Sequence, residues 1–156
     1  MLYILCGLPF AGKSTLARAL AAILGGQLVS LDAINTERGL GLDGRGIAAA
    51  EWAASYAEAD RRISQALSVG RSVVSDAAHF TRAERDRART IARRYGVDTC
   101  VLYLPISPDE AQRRLMANRA RRTRPDVRDE DFWLVVTHFE PPDDESDVLP
   151  LLTRGR

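Results

Sequence analysis

The 156-residue sequence is poor in cysteine, histidine, aromatics and lysine, with two, two, 6% and one respectively. Each scarcity excludes something. Cys6 and Cys100 lie in apolar runs without Cys-x-x-Cys or metal-ligand spacing, which argues against a disulfide framework or a thiolate metal site. Two buried, reduced thiols in a cytoplasmic protein are the expectation. No apolar run approaches the ~20 residues that span a bilayer, and no signal-peptide pattern precedes the first one, so no membrane partner is expected. Few aromatics mean no evident stacking platform for single-stranded nucleic acid. A net charge of +1 argues against a nucleic-acid-coated surface, while leaving room for a local basic groove. There is no Asn-Lys-x-Asp guanine pattern, no internal repeat and no long low-complexity linker. At this length a single domain over 1–156 is expected, built on one core.

The scarcity of lysine leads to the strongest positive signal. Of 22 basic residues, Lys13 is the only lysine. It stands in Gly7-Leu8-Pro9-Phe10-Ala11-Gly12-Lys13-Ser14-Thr15, which fits G-x-x-x-x-G-K-[ST], the phosphate-binding loop (P-loop, or Walker A motif) of nucleoside triphosphatases and kinases. A chance match somewhere in a chain of this composition is roughly one in two thousand. The chemistry needs these residue types. Gly7 and Gly12 let successive N–H groups turn inward around an anion, and the following helix adds its positive N-terminus. Lys13 can reach the β- and γ-phosphates, where a slim ammonium fits and a guanidinium does not, and Ser14 offers a hydroxyl to Mg²⁺. The flanks agree: Leu2 to Cys6 read as a buried strand, and Leu16 to Leu24 as a helix with one apolar face, closed by Gly25-Gly26.

Strand and helix patterns then alternate. Gln27 to Asp32 is a second strand ending in a carboxylate, and Asn35 to Gly46, with four glycines, reads as a mobile loop. Helical periodicity runs from Ile47 to about Leu67. Arg71 to Asp76 is a third strand, again ending in Asp. Thr81 and Glu84 form a capping box for a charged helix that Gly96 ends. Val97 to Pro105 holds a fourth strand, Ser107 and Glu110 a second capping box for a helix to about Arg119, and Asp129 to His138 a further helix stopped by Phe139-Glu140-Pro141-Pro142. Asp147 to Leu152 is a candidate edge strand. Such alternation implies an α/β fold with a parallel, doubly wound sheet and helices on both faces.

Ligands bind such sheets beyond the carboxyl ends of the strands. Asp32 is there a candidate general base for an acceptor hydroxyl attacking the γ-phosphoryl group, against the plainer reading of a helix N-cap. Asp76 follows an apolar strand and could hold Mg²⁺, or position substrate, or cap a turn. Four arginines fall in Asn118-Arg119-Ala120-Arg121-Arg122-Thr123-Arg124-Pro125, between two helices. A lid spanning about 119–128 could deliver Arg119, Arg121 or Arg122 to the charge developing on the γ-phosphoryl, and Arg119 and Arg122 share a face if the helix continues. A solvated basic stretch is the alternative. His79 is open between a substrate contact and a surface loop histidine, and His138 reads as partly buried packing. Trp52 and Tyr56, one helical turn apart, read as core more readily than as a wall over the acceptor site.

Together the glycine loop, the Val29-Ser30-Leu31-Asp32 strand end, Val73-Val74-Ser75-Asp76 and the arginine stretch resemble a small P-loop kinase over roughly residues 1–142. The likeness is to the group containing the kinase domain of polynucleotide kinases, with chloramphenicol phosphotransferase and zeta-toxin kinases more distant. It implies a three-layer P-loop fold, ATP and Mg²⁺ as cofactors, and Asp32 as the base. It also implies a lid arginine at Arg121 or Arg122, and a hydroxyl acceptor: a polynucleotide 5′ end, or a small molecule such as a nucleoside, sugar or antibiotic. Where such kinases often show Asp-x-Thr-Asn, this chain has Asp76-Ala77-Ala78-His79. A nucleotide-binding regulatory ATPase, without a phosphoryl acceptor, is the reading from another class.

Overall fold

The computed structural model describes residues 1–41 and 47–152. Its elements follow one another as β1 (Leu2–Cys6), α1 (Lys13–Leu24), β2 (Gln27–Ser30), α2 (Leu31–Glu37), α3 (Ala49–Ser68), β3 (Val73–Asp76), α4 (Arg82–Arg94), β4 (Thr99–Tyr103), α5 (Pro108–Arg121), α6 (Asp129–His138) and β5 (Val148–Pro150). The strands form one five-stranded sheet in the order β2-β3-β1-β4-β5. Every pairing is parallel, with registers such as Ile4↔Ser75 and Ile4↔Val101 on either side of β1. This is the doubly wound α/β architecture expected from the alternation.

Successive strand residues point to opposite faces, and the core divides accordingly. Leu2, Ile4, Cys6, Val73 and Val101 pack against Ala59, Ile63, Ala66 and Leu67 of α3 and Ala88, Ile91 and Ala92 of α4. Leu5, Val74 and Leu102 face the other way, onto Ala17 and Ala21 of α1. A third cluster joins the glycine loop to α5 and α6 through Leu8, Phe10, Ala111, Leu115 and Phe132. The phosphate loop therefore rests directly on the two helices that flank the arginine stretch.

Some boundaries move, each for a local reason. The second strand stops at Ser30, because the Ser30 hydroxyl accepts from the Ala33 N–H (3.4 Å) and opens α2. Asp32 is thus in the first turn of a helix rather than at a strand end, and Asn35 to Glu37 are helical rather than loop. Residues 42–46 of the expected glycine loop lie outside the described residues. The Thr81/Glu84 capping box forms in full. At α5 only half of the second box forms: Ser107 caps the Glu110 N–H, while the Glu110 carboxylate turns to Arg113 and Arg114. Helix α5 runs to Arg121 and ends because Arg122 adopts a left-handed conformation (φ 52°), so Arg119 and Arg122 do not share a helical face. Cys6 is buried but Cys100 only half-buried; neither forms a disulfide.

Candidate active site

The residues from Gly7 to Gly12 turn between β1 and α1. Gly7 adopts φ 152°, and a Cβ there would meet the Leu104 carbonyl oxygen at 2.8 Å, so no other residue fits without displacing backbone. Gly12 caps α1 at φ 99°. Phe10 is left-handed without being glycine (φ 65°), held by its ring in the α5–α6 cluster and by Arg114, whose guanidinium donates to the Phe10 carbonyl at 3.2 Å. Lys13 is folded back across this loop, donating to the Gly7 and Leu8 carbonyls at 2.9 and 2.8 Å. The residue is partly exposed overall, yet its ammonium is buried against the loop, and that burial lowers its pKa to about 8.

Asp76 ends β3 beside the start of α1, and the Ser14 hydroxyl donates to its carboxylate at 3.3 Å. Burial holds the Asp76 pKa above the usual aspartate range, against the opposing effects of Ser14 and Lys13. Asp32 is exposed, and its carboxylate makes no hydrogen bond among the described residues. It lies near enough that its charge acts on Lys13, Asp76 and Tyr56. The loop, Asp32 and Asp76 thus converge at one end of the sheet.

Helix α2 is tied to α3 by a buried bond from Ser55 Oγ to Asn35 Oδ1 (2.5 Å) and by Arg38, which donates to Ser55 and Glu51. Trp52 and Tyr56 are half-buried on α3, centroids 6.4 Å apart, and lie outside the core clusters. Burial is the main cause that raises the Tyr56 hydroxyl to about 12, and the charges of Glu84 and Asp32 reinforce it. The core reading of this pair is therefore not what the fold does with it.

The arginine stretch separates into different duties. Arg119 is committed to the residues that follow the stretch: it binds Asp126 at 2.9 Å, the Val127 carbonyl at 2.8 Å and Asp129 at 2.8 Å. Buried Asn118 closes the turn, donating to the Arg124 carbonyl and accepting from Thr123 and the Arg124 N–H. Arg121 and Arg122 are exposed and have no ion-pair partner among the described residues. Arg124, which sequence reasoning had not singled out, places its guanidinium 4.4 Å from the centre of the Phe10 ring, and its charge is felt by Lys13. No pattern along the chain set it apart from the other three arginines.

His79 is buried rather than on the surface, and His138 is exposed rather than packed; the His138 ring instead meets the Leu134 carbonyl at 2.9 Å. Sequence reasoning also missed Arg85. It is fully buried and pairs with Glu145 at 2.6 Å, while donating to the His79 and Glu140 carbonyls, each at 2.9 Å. A groove of about 420 Å³ between α4 and the segment before β5 lies at the other end of the strands, lined by Arg82, Arg89, Asp98 and Asp147 among others. Its charges largely pair with one another, and it is separate from the loop.

A model of the AAA_33 family, described as an AAA domain, matches residues 2–142. The chain belongs to that family. Among solved structures, Kti12 from Chaetomium thermophilum in complex with ADP-AlF3 is similar at TM-score 0.71 and 20% identity, covering 97% of this chain and 89% of that one. A gluconokinase from Sinorhizobium meliloti is similar at TM-score 0.69 and 17% identity over 99% and 83%. The APS kinase CysC of Mycobacterium tuberculosis, solved with AMPPNP and APS, is similar at TM-score 0.62 and 20% identity over 99% and 89%. At these identities the likeness establishes a shared fold, the three-layer P-loop arrangement. No curated protein matches the chain. No helix among the described residues is long and apolar enough to cross a membrane.

Proposed function

We propose that this protein is a P-loop kinase that transfers the γ-phosphoryl group of ATP to a hydroxyl acceptor. One observation carries the reading: a carboxylate without hydrogen-bond partners among the described residues, Asp32, stands electrostatically close to the lysine of a phosphate-binding loop. In a kinase this carboxylate takes the proton of the acceptor hydroxyl; in a hydrolytic switch it would serve a water instead, and dependence on an acceptor separates the two. In this reading the loop from Gly7 to Thr15 cradles the phosphates and Lys13 leaves its carbonyl partners for the β- and γ-phosphate oxygens. The acceptor oxygen forms a bond to the γ-phosphorus as the bond to the β,γ-bridging oxygen breaks, and the hydroxyl proton passes to Asp32.

The Ser14 hydroxyl and Asp76 carboxylate suit Mg²⁺, a hard cation that takes few protein ligands and otherwise keeps waters and phosphate oxygens. The described residues contain no cluster of three or more His, Cys, Asp or Glu that would make an all-protein metal cage, in keeping with a metal that arrives with the nucleotide. When bound, it neutralises charge on the β- and γ-phosphates. The segment over about 119–128 acts as a lid. Arg119 sets its shape; Arg121 and Arg122 have no ion-pair partner among the described residues, and Arg124 lies over Phe10 beside the loop, so these three are the candidates to meet the transferring group.

The kinship of fold with a gluconokinase and an APS kinase supports a hydroxyl acceptor. Small molecules such as nucleosides, sugars and antibiotics are favoured over a polynucleotide 5′ end by the near-neutral charge and by the few aromatics. The test is transfer of labelled γ-phosphate to a panel of these acceptors, including a 5′-hydroxyl oligonucleotide, with Asp32→Asn alongside. Acceptor-dependent transfer should fall about 10²–10⁴-fold in Asp32→Asn while nucleotide binding persists. Full transfer by that variant removes Asp32 as the base, and steady ATP hydrolysis that no acceptor stimulates favours the regulatory ATPase.

A further inference from the structure

His79 takes no part in the chemistry above, yet it is buried beside the loop in an unusual conformation. Its backbone is left-handed (φ 42°), a region that non-glycine residues enter at a cost and keep only when neighbours hold them there. Contacts on both its backbone and its ring hold it there. Buried Arg85 donates to the His79 carbonyl at 2.9 Å. The ring Nδ1 meets the Leu5 carbonyl at 3.0 Å, and Nε2 meets the Ser75 hydroxyl at 3.4 Å. A carbonyl can only accept, so Nδ1 carries the proton that meets Leu5, while Nε2 faces the Ser75 hydroxyl; the ring also meets the backbone of Ala77.

The placement of those partners gives the contacts a purpose. Leu5 is two residues before Gly7, and Ser75 is the residue before Asp76. The β1–β3 ladder pairs Leu2 with Val73, Tyr3 with Val74 and Ile4 with Ser75, and stops there. Beyond it the strand that carries the phosphate loop and the strand that carries Asp76 have no ladder pairing with each other. The imidazole supplies the next tie. The Asp76 carboxylate accepts from Ser14 at 3.3 Å and from no other side chain among the described residues, so its position follows the end of β3. That end is paired on one side with β2 as far as Ser30↔Asp76, and on the side of β1, past Ile4↔Ser75, the imidazole is the tie.

We propose that His79 is a positioning residue: its imidazole bridges the ends of β1 and β3 and thereby sets the Asp76 carboxylate for a nucleotide-bound Mg²⁺. The proposal rests on the reading of the loop and Asp76 given above, but needs no acceptor and no transfer. Arg85 completes the brace by fixing the backbone from which the ring projects. Asparagine at 79 adopts the same left-handed backbone readily and can donate an amide N–H toward Leu5, whereas alanine enters that region at greater cost and has no donor.

The experiment is binding of a fluorescent ATP analogue in EDTA and through a Mg²⁺ titration, for wild type, His79→Ala and His79→Asn. In His79→Ala the half-saturating Mg²⁺ should rise about 10-fold or more, while binding in EDTA changes less than about 2-fold. His79→Asn should recover most of the Mg²⁺ response. An unchanged Mg²⁺ response in His79→Ala overturns the proposal, as does an equal loss in EDTA, which would make His79 merely structural. Should His79→Ala fail to fold, the intact protein still decides. With only two histidines, its imidazole ¹⁵N signals are readily assigned. Adding Mg²⁺ to the ADP complex should shift His79 and leave His138 unmoved, and a His79 signal that ignores Mg²⁺ refutes the brace. Wild-type protein that binds no nucleotide would take down the reading of the site itself, an outcome separate from either.

Discussion

Lys13 shows most directly how one residue's surroundings set its chemistry. Burial against the loop carbonyls lowers its pKa to about 8, so in the free protein its charge begins to fail within a unit or two above neutrality. Phosphate oxygens would favour the charged form and raise that pKa again. Nucleotide binding above about pH 8 should therefore take up a proton and weaken as pH rises further. Calorimetry in buffers of differing ionisation enthalpy measures both, and binding without proton uptake at pH 8.5 would contradict the account. The motif made Lys13 legible in the sequence; its fold onto Gly7 and Leu8 was not. The same holds for Asp32, whose type and rough place were readable. Its position in a helix first turn followed from Ser30 winning the cap two residues earlier.

At the scale of elements, the segment after α6 acts as a strap across the sheet. The Glu140 carboxylate accepts from the Arg82 N–H at the start of α4, and the Glu140 N–H donates to the Phe80 carbonyl at 2.9 Å. Phe139 stacks on Tyr103 with centroids 6.0 Å apart, and Pro142 is fully buried. This gives the Phe139-Glu140-Pro141-Pro142 run a physical role that its composition did not reveal. The strap is pinned by Glu145, which binds Arg85 and Arg89, and by Asp147, which binds Arg89 and Thr99. Arg85 and Glu145 side chains are 0% and 5% exposed, so losing one leaves the other charged and dry. Glu145→Ala should cost about 3–5 kcal/mol in urea unfolding, and the paired replacement Arg85→Met with Glu145→Leu should recover much of it. A loss under about 1 kcal/mol in the single variant would mean the pair is solvated in solution. Helix and strand patterns were readable because their periods repeat within about ten residues. This pair was not, because its members stand 60 residues apart and carry no periodic signal.

Across the whole molecule, the phosphate loop and the arginine stretch form one mechanical unit. Phe10 packs with Ala111, Leu115 and Phe132, Arg114 holds its carbonyl, and Arg124 lies over its ring. If the stretch closes as the proposed lid, its movement would be felt in the loop through these contacts. If Arg121, Arg122 and Arg124 serve the transferring group, alanine replacements should lower kcat by about 10²-fold at the residue that reaches it, with little change in nucleotide affinity. Steady-state kinetics beside direct nucleotide binding separates the two effects. Equal losses in both would reduce the stretch to long-range attraction.

The sequence by itself determined the glycine loop between the first strand and helix, the alternation of strands and helices, the full capping box at α4 and the carboxylates near the ends of the second and third strands. All of these are local signals, in which a backbone conformation or a cap is dictated by residues within a turn or two. Only the tertiary structure decided the order β2-β3-β1-β4-β5, the burial of His79, the partner of Arg85 and the choice of Arg124 as the arginine beside Phe10. Each of those depends on side chains from distant segments meeting in a dry interior. There the pairing is fixed by packing and by the cost of an unsatisfied polar group, and neither leaves a pattern along the chain.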